Sequence, residues 1–92
     1  MQSKQTQLKL RKIAEKQHIS MFLLDHITDD ADGELLPTHI VFDSYRKWRS
    51  ENDFPHTAYT LDGFGKMLPF KRIATFSKAD GYHKSIVGKK LR

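Results

Sequence analysis

Residues 37–68 read PTHIVFDSYRKWRSENDFPHTAYTLDGFGKML and decide the fold, because they predict two short helices in succession. We expect the first helix to begin at Pro37-Thr38, with the Thr38 hydroxyl capping its free backbone amides. Its apolar residues recur at helical spacing on one side: Val41, Phe42, Tyr45 and Trp48. Phe54-Pro55 then interrupts the pattern. The second helix is predicted over residues 57–68, with Thr57 as its cap and Pro69 as its stop; its inward face carries Leu61, Phe64 and Leu68.

Residues 71–91 read KRIATFSKADGYHKSIVGKKL and predict a basic β-hairpin, running from Lys71 to Ser77 and returning from Tyr82 to Leu91. Its turn is Ala79-Asp80-Gly81, since Asp-Gly favours the positive φ that a hairpin turn needs. Glu34-Leu35-Leu36 is predicted to form a short strand that pairs with this hairpin. Helix, turn, helix and hairpin is the order of a winged helix, a mainly α domain with a small sheet, and winged helices mostly bind DNA.

The N-terminal third predicts a further helix, either one from about residue 6 to 28 or two that break near His18. We expect one apolar stripe to face the core, formed by Leu10, Ile13, Ala14, Met21, Leu24 and Ile27 and widened by Phe22 and Leu23. Asp29-Asp30-Ala31-Asp32-Gly33 is predicted to end the helix in an acidic loop. Polar residues 1–8 are predicted to be its frayed start or a linker. The length of 92 residues predicts a single domain over residues 1–92.

The composition is typical of a small globular domain, with 38% hydrophobic residues and ten aromatics. The absence of cysteine excludes disulfides and thiolate metal sites and fits a reducing compartment. The sequence has no run of 18 apolar residues and no signal-peptide pattern. We therefore expect a cytoplasmic protein that does not bind a membrane.

The charge is strongly polarised along the chain. Residues 54–92 hold eight Lys or Arg against two acidic residues, whereas residues 17–53 hold three against eight. A basic half of this kind attracts polyanions, of which DNA is the commonest, although a solvated lysine surface would have the same composition.

The sequence offers no constellation for catalysis. An EF-hand loop with Gly33 at its sixth position would start at Thr28 and end at His39, so it lacks both defining carboxylates. The five histidines lack the spacing that zinc sites favour, and neither a phosphate-binding loop nor a nucleophile motif occurs. We expect no catalytic residue, no metal and no cofactor, and this chain alone is not predicted to be an enzyme.

Aromatic residues at helical spacing are expected in the core, which leaves the outside of the second helix and the hairpin as the candidate DNA surface. On that helix Tyr59, Thr60 and Lys66 are predicted to read groove edges and phosphates. In the hairpin, the candidate residues are Lys71, Arg72, Lys78, Tyr82, His83 and Lys84. Gly63 and Gly65 each cost a helix about 1 kcal/mol relative to alanine, and we interpret them as places where a neighbouring helix or a DNA backbone comes close.

Three motifs, at Phe42-x-x-Tyr45-x-x-Trp48, Phe64-Gly65-x-x-Leu68 and Val87-Gly88-Lys89-Lys90-Leu91, give residues 19–92 a family resemblance. The chain resembles the C-terminal winged-helix domain of phage and plasmid primase–helicases of the satellite-phage alpha-protein type; one departure is Arg49, where a small residue or cysteine is common. The resemblance implies sequence-specific binding of repeats at a replication origin, in the cytoplasm of a bacterial host. It also implies that primase and ATP-dependent helicase activities and ring formation belong to a longer parent, whose C-terminus is Leu91-Arg92.

Two other classes of function remain open from the residues. The first is a protein-interaction winged helix that recruits a replication partner through its acidic end, residues 25–34. The second is a small transcriptional repressor, which would need a dimerisation helix; residues 1–16 are too polar for a good one.

Overall fold

The computed structural model describes residues 4–30, 35–79 and 81–92, which form an α+β domain of three helices and small antiparallel sheets. Its elements are α1 (Lys4–His26), β1 (Ile27–Asp29), β2 (Leu35–Pro37), α2 (Thr38–Glu51), α3 (Leu61–Met67), β3 (Arg72–Ser77), β4 (Gly81–Val87) and β5 (Lys89–Leu91). Four predicted features lie outside the described residues: the acidic loop at 31–33, Glu34 of the predicted strand, Asp80 of the turn, and residues 1–3 of the polar start. No helix of the described ranges is long and apolar enough to cross a membrane.

The main sheet has the strand order β2-β4-β3, so the strand that follows the hairpin turn lies in the centre. β2 pairs with β4 as predicted, and Gly81 has the positive φ of 69° expected at the turn. The predicted return strand at residues 82–91 is wrong in one respect, because Gly88, at a φ of 75°, divides it into β4 and β5.

A second, two-stranded sheet was not predicted. β5 pairs antiparallel with β1, where the sequence pattern favoured a continuation of the helix. Ile27 is buried opposite Leu91, and the Arg92 N–H donates to the His26 carbonyl at 2.8 Å. Strands of three residues are too short to show a periodicity, and β1 and β5 are far apart in the sequence, so the sequence pattern did not indicate their pairing.

α1 is one unbroken helix, but the face predicted to be buried is wrong for most of its residues. The packed side carries Glu15, Ile19, Phe22 and Leu23, while the predicted stripe from Leu10 to Leu24 faces outward. Of the predicted positions, Ile27 and the two that widen the stripe, Phe22 and Leu23, are in the core. Both sides of α1 are apolar, so periodicity alone does not choose between them.

The core forms where α1, α2, α3 and β4 meet. Stacked and edge-on rings join the helices, with centroids 5.4 Å apart for Phe22 and Tyr45 and 5.0 Å apart for Tyr45 and Phe64. The predicted core positions Val41, Phe42, Tyr45, Phe64 and Leu68 are confirmed as buried. Trp48 is half-buried against Phe22 and Phe54.

Both predicted caps are wrong. The N-cap of α2 is Pro37, which has no side-chain cap bond, and the Thr38 hydroxyl instead donates to the Lys84 carbonyl at 2.8 Å, joining α2 to β4. α3 begins at Leu61 rather than Thr57, because Thr60 caps it by accepting from the Gly63 N–H at 3.2 Å. Leu61, predicted to face inward, is consequently 43% exposed in the first turn of a helix of seven residues.

Candidate nucleic-acid interface

A buried carboxylate, Glu15, fixes the segment that leads into α3. It is 3% exposed and accepts hydrogen bonds from the Ala58 N–H at 2.9 Å, the Tyr45 hydroxyl at 2.7 Å and the Thr57 hydroxyl. Thr57 therefore anchors a loop to α1 instead of capping a helix. Since an unpaired buried carboxylate is very costly, this arrangement holds α3 in one position relative to α1 and α2.

Arg49 completes the same network from α2 and is itself 4% exposed. Its guanidinium donates to the Pro55 carbonyl at 2.9 Å and to the Tyr45 hydroxyl at 3.2 Å, and lies 4.0 Å from the Glu15 carboxylate. Burial alone would raise the pKa of Glu15, but the hydrogen bonds it accepts and the charge of Arg49 hold that pKa below its ordinary value. Burial and the neighbouring Glu15 raise the pKa of the Tyr45 hydroxyl.

Tyr59 is not an exposed reader of DNA, contrary to the sequence prediction. It is 8% exposed, its ring lies under the Lys12 ammonium, 5.5 Å from the centroid, and its hydroxyl donates to the Lys12 carbonyl at 3.0 Å. Burial and Glu15 raise the pKa of that hydroxyl. The prediction placed Tyr59 on a helix that starts at Thr57, whereas the chain is not yet helical there and the ring is buried.

The outer surface of α3 is small and electrically balanced. Thr60, Leu61, Asp62 and Lys66 are exposed along it. Lys66 lies 3.1 Å from the Asp62 carboxylate one turn earlier, and both side chains are largely exposed, so this pair contributes little to stability. The predicted Lys66 contact to DNA would therefore compete with Asp62 for the ammonium.

The base of the hairpin packs against α3 through an arginine. Arg72 is half-buried, and a Cβ added to Gly65 would lie 3.1 Å from its Cζ and 3.4 Å from the Thr38 Cγ2. Gly65 thus marks the close approach of a side chain from β3, where a helix or DNA backbone had been expected. At Gly63 an added Cβ would meet only ordinary contacts, to Thr60 and Tyr59.

The tip of the hairpin carries an exposed aromatic pair. Phe76 and Tyr82 face each other across β3 and β4 with ring centroids 4.9 Å apart, and they are 62% and 84% exposed. Alternation along the strands puts them on the same face of the sheet as Ala74 and Lys84. Exposed Lys78 lies in the turn between them. Phe76 was not among the predicted site residues, but its position six residues before Tyr82, across the predicted turn, is a signal that could have found it.

One cleft joins the hairpin to the two helices behind it. It has a volume of about 240 Å³, and its lining includes four predicted residues, Arg72, Tyr82, His83 and Lys84, together with Thr38, His39, Leu61 and Asp62. Lys71 is exposed just before β3, and Lys66 and Lys78 are exposed outside the cleft. The structure thus brings the hairpin residues beside the first turn of α3, with Thr60 as its exposed cap.

The histidines of the cleft do not complete a metal site. His39 and His83 pack edge to face with centroids 5.5 Å apart, and the His83 Nδ1 lies 3.2 Å from the Gly81 carbonyl. Within the described ranges, no three His, Cys, Asp or Glu residues are grouped so that they could hold a metal ion.

No protein-family model, curated protein or solved structure matches this chain.

Proposed function

We propose that this chain is a winged-helix domain that binds double-stranded DNA in a sequence-specific manner. The observation that carries the proposal is the hairpin tip, where Phe76 and Tyr82 are exposed beside Lys78 and Lys84. Exposed paired aromatics next to cations are unusual on a surface that only contacts water, and they suit a ligand with both phosphates and flat bases.

The topology supports the same proposal. The elements follow one another in the order β2, α2, α3, β3 and β4. The strand before the two helices, β2, pairs with β4 of the hairpin that follows them, which gives the sheet order β2-β4-β3. This is the arrangement expected of a winged helix, in which α3 is the recognition helix and the β3–β4 hairpin is the wing.

In the proposed complex the two parts have different tasks. Thr60 and Lys66 on α3 approach base edges in the major groove, whereas Lys71, Lys78 and Lys84 neutralise phosphates. Phe76 and Tyr82 pack against sugars or bases beside the phosphates that the lysines hold. Arg72 acts from a half-buried position, since it fixes the hairpin against Gly65 of α3.

The resemblance of residues 19–92 to the C-terminal domain of phage and plasmid primase–helicases supplies the biological context of the proposal. The DNA would be repeats at a replication origin, and the domain would place its parent protein there. Priming, unwinding and ATP hydrolysis would then belong to other parts of the parent.

Titration of a fluorescent duplex at several salt concentrations tests the proposal. Affinity should fall steeply with salt, with a logarithmic slope of about −0.9 for each phosphate contact. Changing Lys78 and Lys84 together to Ala should weaken binding to every duplex and make the slope shallower by about two contacts.

The matched control removes the same charge elsewhere. Lys16 on α1 and Lys47 on α2 are exposed and outside the cleft, so changing both to Ala should leave most of the affinity and the slope intact. Equal losses for the two double variants, or a flat salt response of the unaltered chain, would disprove the proposed surface.

A further inference from the structure

α1 carries an apolar stripe on the side that faces away from the core. We call it the outer stripe; it consists of Leu10, Ile13, Ala14, Gln17, Met21 and Leu24, all of them exposed. Its large side chains are 49% exposed at Leu10, 52% at Ile13, 50% at Met21 and 76% at Leu24. At about 100° per residue these positions fall within a sector roughly 100° wide. An exposed stripe of this length, apolar at every position except Gln17, marks an interaction surface.

The opposite side of α1 already has its partners. Glu15, Ile19 and Phe22 on that side are buried against α2 and the loop before α3. The outer stripe is therefore not needed to complete the core of this domain. Its apolar residues require a separate explanation.

We propose that the outer stripe pairs with the outer stripe of a second copy of this chain, as two antiparallel helices. The residue spacing fits a two-fold axis at Gln17. Leu10 and Leu24 lie seven residues on either side of Gln17, and Ile13 and Met21 lie four on either side. In an antiparallel pair Leu10 therefore meets Leu24 of the other copy, Ile13 meets Met21, and the two Gln17 amides face each other.

Charge complementarity selects the antiparallel arrangement. The first part of α1 carries Lys9, Arg11, Lys12 and Lys16, whereas Asp25 lies near its other end. Asp29, just beyond α1, is already paired with Lys89 of the same chain. Arg11 and Asp25 lie fourteen residues apart, close to four full turns, so both border the stripe on the same long edge. A parallel pair would place the two basic halves side by side, whereas the antiparallel pair places Arg11 of each copy beside Asp25 of the other.

The outer stripe spans residues 10–24, so it extends beyond residues 1–16, which alone are too polar for a good dimerisation helix. It contributes none of the residues that line the cleft between α3 and the hairpin. Self-association can therefore be measured without DNA, and its failure would leave the proposed DNA surface untouched.

Sedimentation equilibrium of the 92-residue chain over a micromolar concentration series tests the pairing. A monomer–dimer equilibrium is expected, and changing Ile13 and Met21 together to Glu should raise its dissociation constant by more than about tenfold. Ile40→Glu on α2 is the matched control, because Ile40 is 42% exposed and lies outside the stripe. A chain that stays monomeric throughout, or a control that disrupts the dimer equally, overturns the proposal.

Cysteine crosslinking tests the direction of the helices, since the natural chain has no cysteine. In an antiparallel pair Gln17→Cys should form a disulfide-linked dimer rapidly under mild oxidation. Leu10→Cys alone should not, because its two copies would lie about 21 Å apart along the axis. A mixture of Leu10→Cys and Leu24→Cys should crosslink as the heterodimer. Rapid crosslinking of Leu10→Cys with itself would instead establish a parallel pair and refute the antiparallel one.

Discussion

Phe and Tyr side chains are buried in the helical body but exposed at the hairpin tip. In the body, Phe22, Tyr45 and Phe64 are fully buried; Tyr45 stacks on Phe64 and meets Phe22 edge to face. At the tip, Phe76 and Tyr82 also contact each other but are mostly exposed. The comparison teaches that aromatic content says little about function until burial is known, because buried rings stabilise the fold whereas exposed rings are accessible to a ligand.

Charged residues differ in burial between the same two regions. Glu15 and Arg49 are buried in the body, where their bonds to the Ala58 N–H and the Pro55 carbonyl hold the loop before α3 to α1 and α2. Lys78 and Lys84 on the hairpin are exposed. Substitutions in the body should therefore change folding, and substitutions at the tip should change binding.

The largest expected effect comes from a pair of identical substitutions. Phe64→Ala empties a fully buried site between Phe42 and Tyr45 and should cost about 3–5 kcal/mol of unfolding free energy, enough to unfold much of a domain this small. Phe76→Ala removes an exposed ring and should change stability by less than about 0.5 kcal/mol. Urea denaturation followed by circular dichroism measures both. Equal costs would mean that the hairpin tip is part of the folding unit's core.

Glu15→Gln should cost about 3 kcal/mol, because the amide keeps the volume but leaves the Arg49 charge buried without its carboxylate. The lowered pKa also fixes the direction in which the stability contributed by Glu15 changes with pH. Folding lowers the pKa of Glu15, so its contribution is complete above the ordinary value of 4.5 and is lost as the pH falls below it. Glu15→Gln has no carboxyl to protonate at this position, so its unfolding free energy should decrease less on acidification than that of the unaltered protein. Denaturation curves at a series of pH values between neutral and acid compare the two proteins, and parallel losses would show that another carboxyl is responsible.

Much of the body could be predicted from sequence, because periodicity and chain order determine it. The α2 face, Phe64 and Leu68 as core, and the pairing of the strand before Pro37 with the hairpin all followed from apolar spacing and turn residues. The Glu15 network could not be predicted, since it joins residues more than forty positions apart and depends on how α1 is rotated. That rotation also decides which stripe is exposed, and two apolar sides leave it undetermined.

The sequence predicted the exposed residues of the hairpin better than those of α3. Chain order alone placed Lys78, Tyr82 and Lys84 around a turn. On α3 the error came from choosing Thr57 over Thr60 as the cap, although both hydroxyls satisfy the same local rule. Moving the helix start by several residues changed which side chains face out, so Tyr59 became core and Leu61 became surface.

The smallest expected effect distinguishes residues that recognise the DNA sequence from residues that bind any duplex. Asp62→Asn with Lys66→Gln removes the exposed pair on α3 without changing net charge, so affinity for a scrambled duplex should be nearly unchanged. Affinity for a duplex selected from a random library should fall by about 1–3 kcal/mol if Lys66 contacts a base edge. Phe76→Ala and Tyr82→Ala should weaken both duplexes alike, because rings that pack against the sugars of the backbone contact every sequence in the same way. Paired titrations of selected and scrambled duplexes at two salt concentrations separate the two results. If the hairpin variants lose discrimination while the α3 variant retains it, the hairpin reads the sequence and α3 only supports it.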